Sequence, residues 1–231
     1  MNKNIFKISD QISIDEVEKI YEKNFEKIIY EFFNLEHEWM FNAYKEYKDF
    51  DKYLILIYLL HKTLETYNKH FYKVSFEKFY NNPHIEIEKI SIIDLVKSLS
   101  MSKETVRRKL NELSKEGVLT RKLKNIRINK VNSNARLERN VFNLSKLIFL
   151  LTSKLGKEHS LGDFPRLEIE KKIRENYTQY WNLFFKFQIN YVLRCKNVYS
   201  SIETFYVWGL CAFNEALNSK KLNKSIKDNM F

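Results

Sequence analysis

Glycine and proline are scarce in this chain, four and two among 231 residues. So few turn-formers exclude a many-stranded sandwich or barrel and leave no glycine-rich loop to cradle phosphates. Cys195 and Cys211 are the only cysteines. They cannot build a disulfide framework, and no CxxC or Cys/His cluster stands ready for zinc, so a reducing cytoplasm is the expected compartment. The longest apolar runs, 53–60 and 147–151, fall far short of the roughly 20 residues of a membrane span. The first 19 residues hold no continuous apolar stretch of the kind a secretory signal needs. A soluble protein with no membrane partner is expected.

What the chain has is apolar residues, aromatic residues and positive charge. Hydrophobic residues make up 44% and aromatic ones 15%, enough to fill a core. Lys and Arg number 40 against 29 Asp and Glu, a net charge of +11, which favours an anionic partner. The excess is uneven: −4 over residues 1–50, zero over 51–88, +8 over 89–130 and +7 over 131–231. The 42 residues that carry +8 are also those where long helical patterns give way to shorter elements.

Ile14, Val17, Tyr21, Phe25, Ile28, Phe32, Leu35 and Trp39 are spaced by three and four and predict one long amphipathic helix. Residues 53–60 are apolar all round, predicting a second, buried helix that continues toward Phe79 and ends at Asn81, Asn82 and Pro83. Alternation over 84–90 predicts a short strand. Further on, the spacing predicts a helix over 137–155 stopped by Gly156, a loop over 157–165, a helix over 166–196 and a last one over 202–217, followed by a frayed polar tail. The fold class is mainly α, a winged helix-turn-helix with a short β-wing flanked by long helices. Its regions are 1–82, helical and a candidate for dimerisation; 83–132, the winged helix-turn-helix; and 133–231, helical.

Within the basic segment, Ser91 and Asp94 open a short helix whose Leu95, Val96 and Leu99 face inward. Ser100, Met101 and Ser102 make a tight turn, with Met101 as an apolar plug and Ser102 as the cap of a second helix over 103–115. That helix sets Val106, Leu110 and Leu113 on one side, and Lys103, Glu104, Thr105, Arg107 and Arg108 at its exposed start. A recognition helix enters the major groove by its first residues. Arg bonds guanine with both arms of its fork, Glu accepts from cytosine, and hydroxyls and helix N–H groups hold phosphate. Beyond Gly117, residues 118–120 and 126–128 pair as a wing bearing Arg121, Lys122, Lys124, Arg127 and Lys130, cations suited to the sugar-phosphate backbone.

The run SIIDLVKSLSMSKETVRRKLNELSKEGVLTRKLKNIRINK, residues 91–130, resembles the winged helix-turn-helix of the Crp-type (catabolite activator and FNR) transcription regulators. The resemblance implies base reading by Lys103, Glu104 and Arg108, with Ser102 and Thr105 on phosphate. Two positions depart from the pattern: Ser100 stands where that family usually has glycine, and Lys103 where Arg is common. The resemblance ends there, because residues 1–80 contain no glycine and cannot form the jelly roll that binds a cyclic nucleotide. A central winged helix between long helices resembles MarR-type regulators in layout alone, whose terminal helices form the dimer.

These residues predict a cytoplasmic, sequence-specific DNA-binding transcription regulator that acts as a homodimer on double-stranded DNA. The second class that fits is a structural or assembly protein, such as a replication initiator or chromosome-organising adaptor, whose winged helix docks protein or holds DNA non-specifically. No enzyme, catalytic residue, metal or cofactor is expected. His37 and Glu38 lack the second histidine of a zincin, and Gly156 with Lys157 lacks the preceding glycine of a P-loop. The aromatic residues of the C-terminal region fit either plain core or the lining of an effector pocket, with core the commoner use of such spacing, and no pattern supports a small-molecule effector.

Overall fold

The computed structural model describes residues 13–70, 72–81, 84–87, 89–122, 125–129, 134–159 and 164–228. The elements run α1 Ile14–Lys23, α2 Phe25–Tyr47, α3 Phe50–Lys69, α4 Phe76–Tyr80, β1 His84–Ile87, α5 Ile92–Leu99 and α6 Lys103–Lys115. Then follow β2 Leu119–Lys122, β3 Asn125–Asn129, α7 Asn134–His159, α8 Arg166–Glu175, α9 Tyr177–Tyr199 and α10 Ile202–Asp228. The fold is mainly α with, among the described residues, one small antiparallel sheet, as the scarcity of turn-formers predicts. No helix among the described residues is long and apolar enough to cross a membrane.

The helix of 14–39 is two helices. Asn24 breaks it by donating its side-chain amide to the Ile20 carbonyl at 2.9 Å, a local bond that competes with the helical ladder. Asn176 divides the helix of 166–196 in the same way, its amide donating to the Lys172 carbonyl at 3.3 Å. The helix that starts at Phe50 stops at Lys69 rather than near Phe79. There the chain turns extended and is tied to α9, where the Thr178 hydroxyl donates to the Tyr72 carbonyl and accepts from the Val74 N–H. Helix α7 runs through Gly156 to His159, and α10 continues to Asp228, past the expected ends at 155 and 217. A mid-helix glycine costs only about 1 kcal/mol.

Residues Lys52 to Leu59 of α3 are all buried, which explains why the apolar residues there show no single stripe. Helix α3 packs on α9 along one side and on α2, α5, α6 and β1 along others. One continuous hydrophobic core results. It includes Leu35, Trp39, Leu54, Leu59, Leu95, Leu110, Ile128, Trp181, Phe185 and Phe205, so it crosses the boundaries drawn at 82/83 and 132/133. Trp39 meets Phe184 edge-on at 4.9 Å, and Tyr177 stacks on Trp181 at 4.8 Å. The stripe of 14–39 divides: Leu35 and Trp39 belong to this core and Ile28 is buried apart from it, while Ile14, Val17 and Phe25 stay exposed. Among the C-terminal aromatics, Phe187 and Trp208 are likewise exposed.

The sheet has three strands in the order β1-β3-β2. Register sets Ile85 opposite Ile128 and Ile87 opposite Ile126, with Leu119 facing Ile128 from the other side. These cross-strand apolar pairs bind the first strand to the wing hairpin. Apart from the short α4 that follows α3, the order α3, β1, α5, α6, β2, β3 is that of a winged helix, with α3 as its first helix.

Candidate nucleic-acid interface

Helix α5 begins with a reciprocal capping box. The Asp94 N–H donates to Ser91 Oγ at 3.1 Å, and the Ser91 N–H donates to the Asp94 carboxylate at 3.0 Å. The helix ends at Ser100, whose φ of 51° and ψ of 44° lie in the left-handed region. Without glycine this conformation is strained, and it is what turns the chain sharply enough to start α6 three residues on. Met101 is buried in the bend, between helices as its apolar side chain predicts.

Ser102 caps α6, its Oγ accepting from the Thr105 N–H at 3.0 Å and donating to Thr105 Oγ1 at 2.9 Å. The Ser102 hydroxyl is therefore committed within the protein, while the Lys103 and Glu104 amides remain the uncapped donors of the first turn. Val106, Leu110 and Leu113 are buried, fixing the rotation of the helix. Lys103, Glu104, Arg107 and Arg108 are exposed and Thr105 is half-buried. Arg108 makes a loose 3.8 Å pair with Glu112, its neighbour one turn on.

A cation that sequence reasoning did not single out lies on the opposite side of α6. Lys109 Nζ donates to Asp49 at 2.5 Å and to Glu112 at 3.3 Å. Lys52 Nζ donates to Glu116 at 2.5 Å and lies 3.2 Å from Glu112. Asp49 also caps α3, accepting from the Lys52 N–H at 3.0 Å. Five charged groups thus clamp the start of α3 to the back of α6. Burial alone would raise the Asp49 and Glu112 carboxyls, but the two lysines outweigh it and hold both below the ordinary carboxylate range. Burial would lower Lys52 and Lys109, and their carboxylate partners reverse that and raise both. Lys109 therefore belongs to the docking of α6.

Gly117, at φ +74°, ends α6 in the left-handed region. Asn129 holds the base of the wing against this end: its side-chain amide donates to the Gly117 carbonyl at 2.5 Å, and its oxygen accepts from the Thr120 hydroxyl at 3.1 Å. Arg121 is exposed and reaches back to α6, donating to Asn111 Oδ1 at 3.3 Å. Arg127 is half-buried and engaged within the protein. Lys122 is placed by its backbone in β2, opposite Asn125; its side chain, with Lys124 and Lys130, lies outside the described residues. The structure thus exposes Lys103, Glu104, Arg107 and Arg108 on α6 and brings Arg121 of the wing to Asn111 of the same helix, while Thr105, one turn before Lys109, lies half-buried at the edge of that surface.

An α6 presented in this way, with a left-handed bend before it and a hairpin after it, is a winged helix-turn-helix, a DNA-binding domain. The family profile of the DeoR-like helix-turn-helix domain matches residues 86–130. Compared with curated proteins and with solved structures, the chain matches none. The match supports the helix-turn-helix and not the Crp-type resemblance. Of the residues behind that resemblance, the capping Ser102 and the buried Val106, Leu110 and Leu113 are those any such domain needs to build and dock its second helix.

Proposed function

We propose that this protein is a sequence-specific DNA-binding transcription regulator that inserts α6 into the major groove. Lys103, Glu104, Arg107 and Arg108 read base edges. Thr105 and the free amides at the start of α6 hold phosphate, and Ser102 keeps that turn in shape. Arg121, with Lys122, Lys124 and Arg127 along the wing, adds backbone contacts that carry no sequence information. The observation that carries this reading is the exposure of both Arg107 and Arg108 on a helix whose other side is pinned by buried leucines and the Lys109 clamp. The +8 carried by residues 89–130, with Lys103, Arg107, Arg108 and Arg121 exposed, supports an anionic groove as partner.

On this reading the protein is a cytoplasmic homodimer, without catalytic residues, that sets two α6 helices about 34 Å apart on successive turns of the duplex. The exposed Ile14, Val17 and Phe25 support a contact between copies through α1 and the start of α2. Winged residues 84–129 with α3 form the reading unit, and α7–α10 the body that carries it.

Selection of bound fragments from a random DNA pool tests the reading. The wild-type chain enriches one motif. Arg108→Ala loses about 1–3 kcal/mol on that motif and broadens the base preference, while Arg121→Ala weakens all sequences alike and lowers the salt slope by about 1. A pool that stays random for the wild type, or binding unaffected by both substitutions, overturns it.

A further inference from the structure

Helices α9 and α10 carry more apolar surface than their own chain covers. Residues 205–213 of α10 are apolar or glycine without interruption. A helix that is apolar all round belongs in an interior, yet Val207 and Cys211 are exposed and Trp208 is 43% exposed. On α9, Leu183 and Phe187, one turn apart, are also bare, Phe187 at 42%. An aromatic ridge joins the two helices across α2. Phe187 meets Phe32 at 6.1 Å, Phe32 meets Phe33 at 6.2 Å, and Phe33 meets Trp208 at 6.3 Å between ring centres. The exposed Phe25 lies seven residues before Phe32 and so on the same line along α2, which carries the ridge to the start of that helix.

Charge divides sharply between the two helices. Helix α9 contains no Asp or Glu, and Lys186 and Arg194 stand exposed beside Phe187, Arg194 seven residues after it on the same line. Helix α10 contains no Lys or Arg before Lys220. Glu203 and Glu215 stand exposed at the two ends of its bare face, Glu203 four residues before Val207 and Glu215 seven after Trp208. None of these four charges has an ion pair or a side-chain hydrogen bond among the described residues.

A basic edge and an acidic edge on either side of one apolar ridge make a surface complementary to itself. Turning a second copy by 180° about an axis through the ridge sets the basic edge of each on the acidic edge of the other, the arrangement an isologous contact requires. The size fits as well. Helix α9 has 23 residues and is about 34 Å long, and two helices side by side are about 20 Å wide, comparable with the roughly 800 Å² that each partner buries in a stable interface.

We propose that a second copy of this chain covers the ridge about a two-fold axis, α9 of each copy lying on α10 of the other. Phe187 and Trp208 are buried from both sides, and Lys186 and Arg194 face the partner's Glu203 and Glu215. The inference rests on the homodimer reading above, whose contact at Phe25 it extends across α9 and α10, and it is independent of which bases α6 reads. A uniformly acidic partner would meet Glu203 and Glu215, and a uniformly basic one Lys186 and Arg194. Cys211, three residues after Trp208, falls inside the contact, so its exposed thiol reports on it.

The test is sedimentation equilibrium of the full chain at about 0.1 M salt, where the Debye length is about 10 Å, with maleimide labelling of Cys211 read by mass spectrometry to separate it from Cys195. The wild type is a dimer at micromolar concentration, and Cys211 labels more slowly as the dimer forms. Lys186→Glu with Arg194→Glu makes both edges acidic, and Glu203→Lys with Glu215→Lys makes both basic. Each double variant dimerises at least about tenfold more weakly than the wild type, and the two mixed in equal amounts form a heterodimer of wild-type affinity. All four positions are exposed, so these substitutions leave the fold intact. Three results overturn the proposal: a wild-type dimer whose Cys211 labels at the rate of the monomer, double variants that dimerise like the wild type, or a mixture that gains nothing over its components. The first two leave a homodimer joined by another face. A wild-type chain that stays monomeric even on its selected DNA motif overturns the homodimer reading as well, and leaves base reading by α6 standing.

Discussion

Replacing Lys109 separates the two jobs that a lysine on a recognition helix can do. The ammonium holds Asp49 at 2.5 Å and Glu112 at 3.3 Å, with side-chain exposures of 11%, 23% and 34%. Removing one partner of a fully buried ion pair costs about 3–5 kcal/mol. Asp49 keeps the Lys52 N–H and some solvent, and Glu112 keeps Lys52 at 3.2 Å, so the smaller figure for losing a charged hydrogen bond applies, about 2–3 kcal/mol. For a chain of this size that lowers the unfolding temperature by about 4–12 °C. Chemical denaturation of Lys109→Ala and Asp49→Asn, singly and together, measures the coupling, which should reach about 1–2 kcal/mol. The salt slope of DNA binding should stay at its wild-type value. The reasoning fails if Lys109→Ala unfolds within a degree of the wild type, or if its salt slope drops by about one unit as loss of a phosphate contact requires.

Two further outcomes follow from strain and from burial. Ser100→Gly relieves a left-handed residue and should stabilise the chain by up to about 1 kcal/mol, the relief exceeding glycine's extra freedom in the unfolded state; a lower midpoint in denaturant contradicts the φ of 51°. Glu36 has a folded pKa of about 8, above its unfolded value near 4.5. Its contribution is therefore fully present below about pH 4.5 and lost as pH rises to about 8, on the order of 4–5 kcal/mol in all. The stability of Glu36→Gln relative to the wild type, measured from pH 5 to 9, should rise with pH over that window. A flat difference contradicts the burial of the carboxyl. The comparison is made between the two chains because His37 and His61, both lowered by burial, act in the opposite sense as pH falls.

Much of the architecture was legible in local chemistry. Ser91 with Asp94 announces the start of α5, and Ser102 ahead of the Val106, Leu110 and Leu113 spacing places α6 at Lys103–Lys115, the bounds expected from the sequence. The helix-turn-helix was legible because its caps and turns are satisfied by residues a few positions apart. The breaks at Asn24 and Asn176 were not, since an asparagine inside an apolar stripe reads equally as a wet-face residue until its amide is seen bonded to a carbonyl four residues back. The stop expected at Gly156 failed for the converse reason: glycine permits a helix end without requiring one, and α7 continues to His159. Asn129 went unnoticed as the anchor of the wing because its partner, the Gly117 carbonyl, is twelve residues away.

The two charged residues that matter most away from the exposed face of α6 share a signal in the sequence. Lys109 falls three residues after Val106 and four before Leu113; Glu36 falls four after Phe32 and three before Trp39. Each therefore lies on the apolar face of its own helix. Gln188, four after Phe184 and four before Val192, repeats the pattern on α9 and is the residue that meets Glu36. A polar side chain on an apolar face must find a partner or stay neutral. Lys109 finds Asp49 across the α3 junction and keeps its charge. Glu36 finds only an amide, so its pKa rises and one oxygen stays open. The first arrangement is a closed clamp that fixes where α6 points; the second is accommodated by keeping the carboxyl protonated. Counting charge along the chain groups Lys109 with the exposed cations of residues 89–130 and Glu36 with the acidic N-terminal segment, whereas helical phase separates both from the solvent.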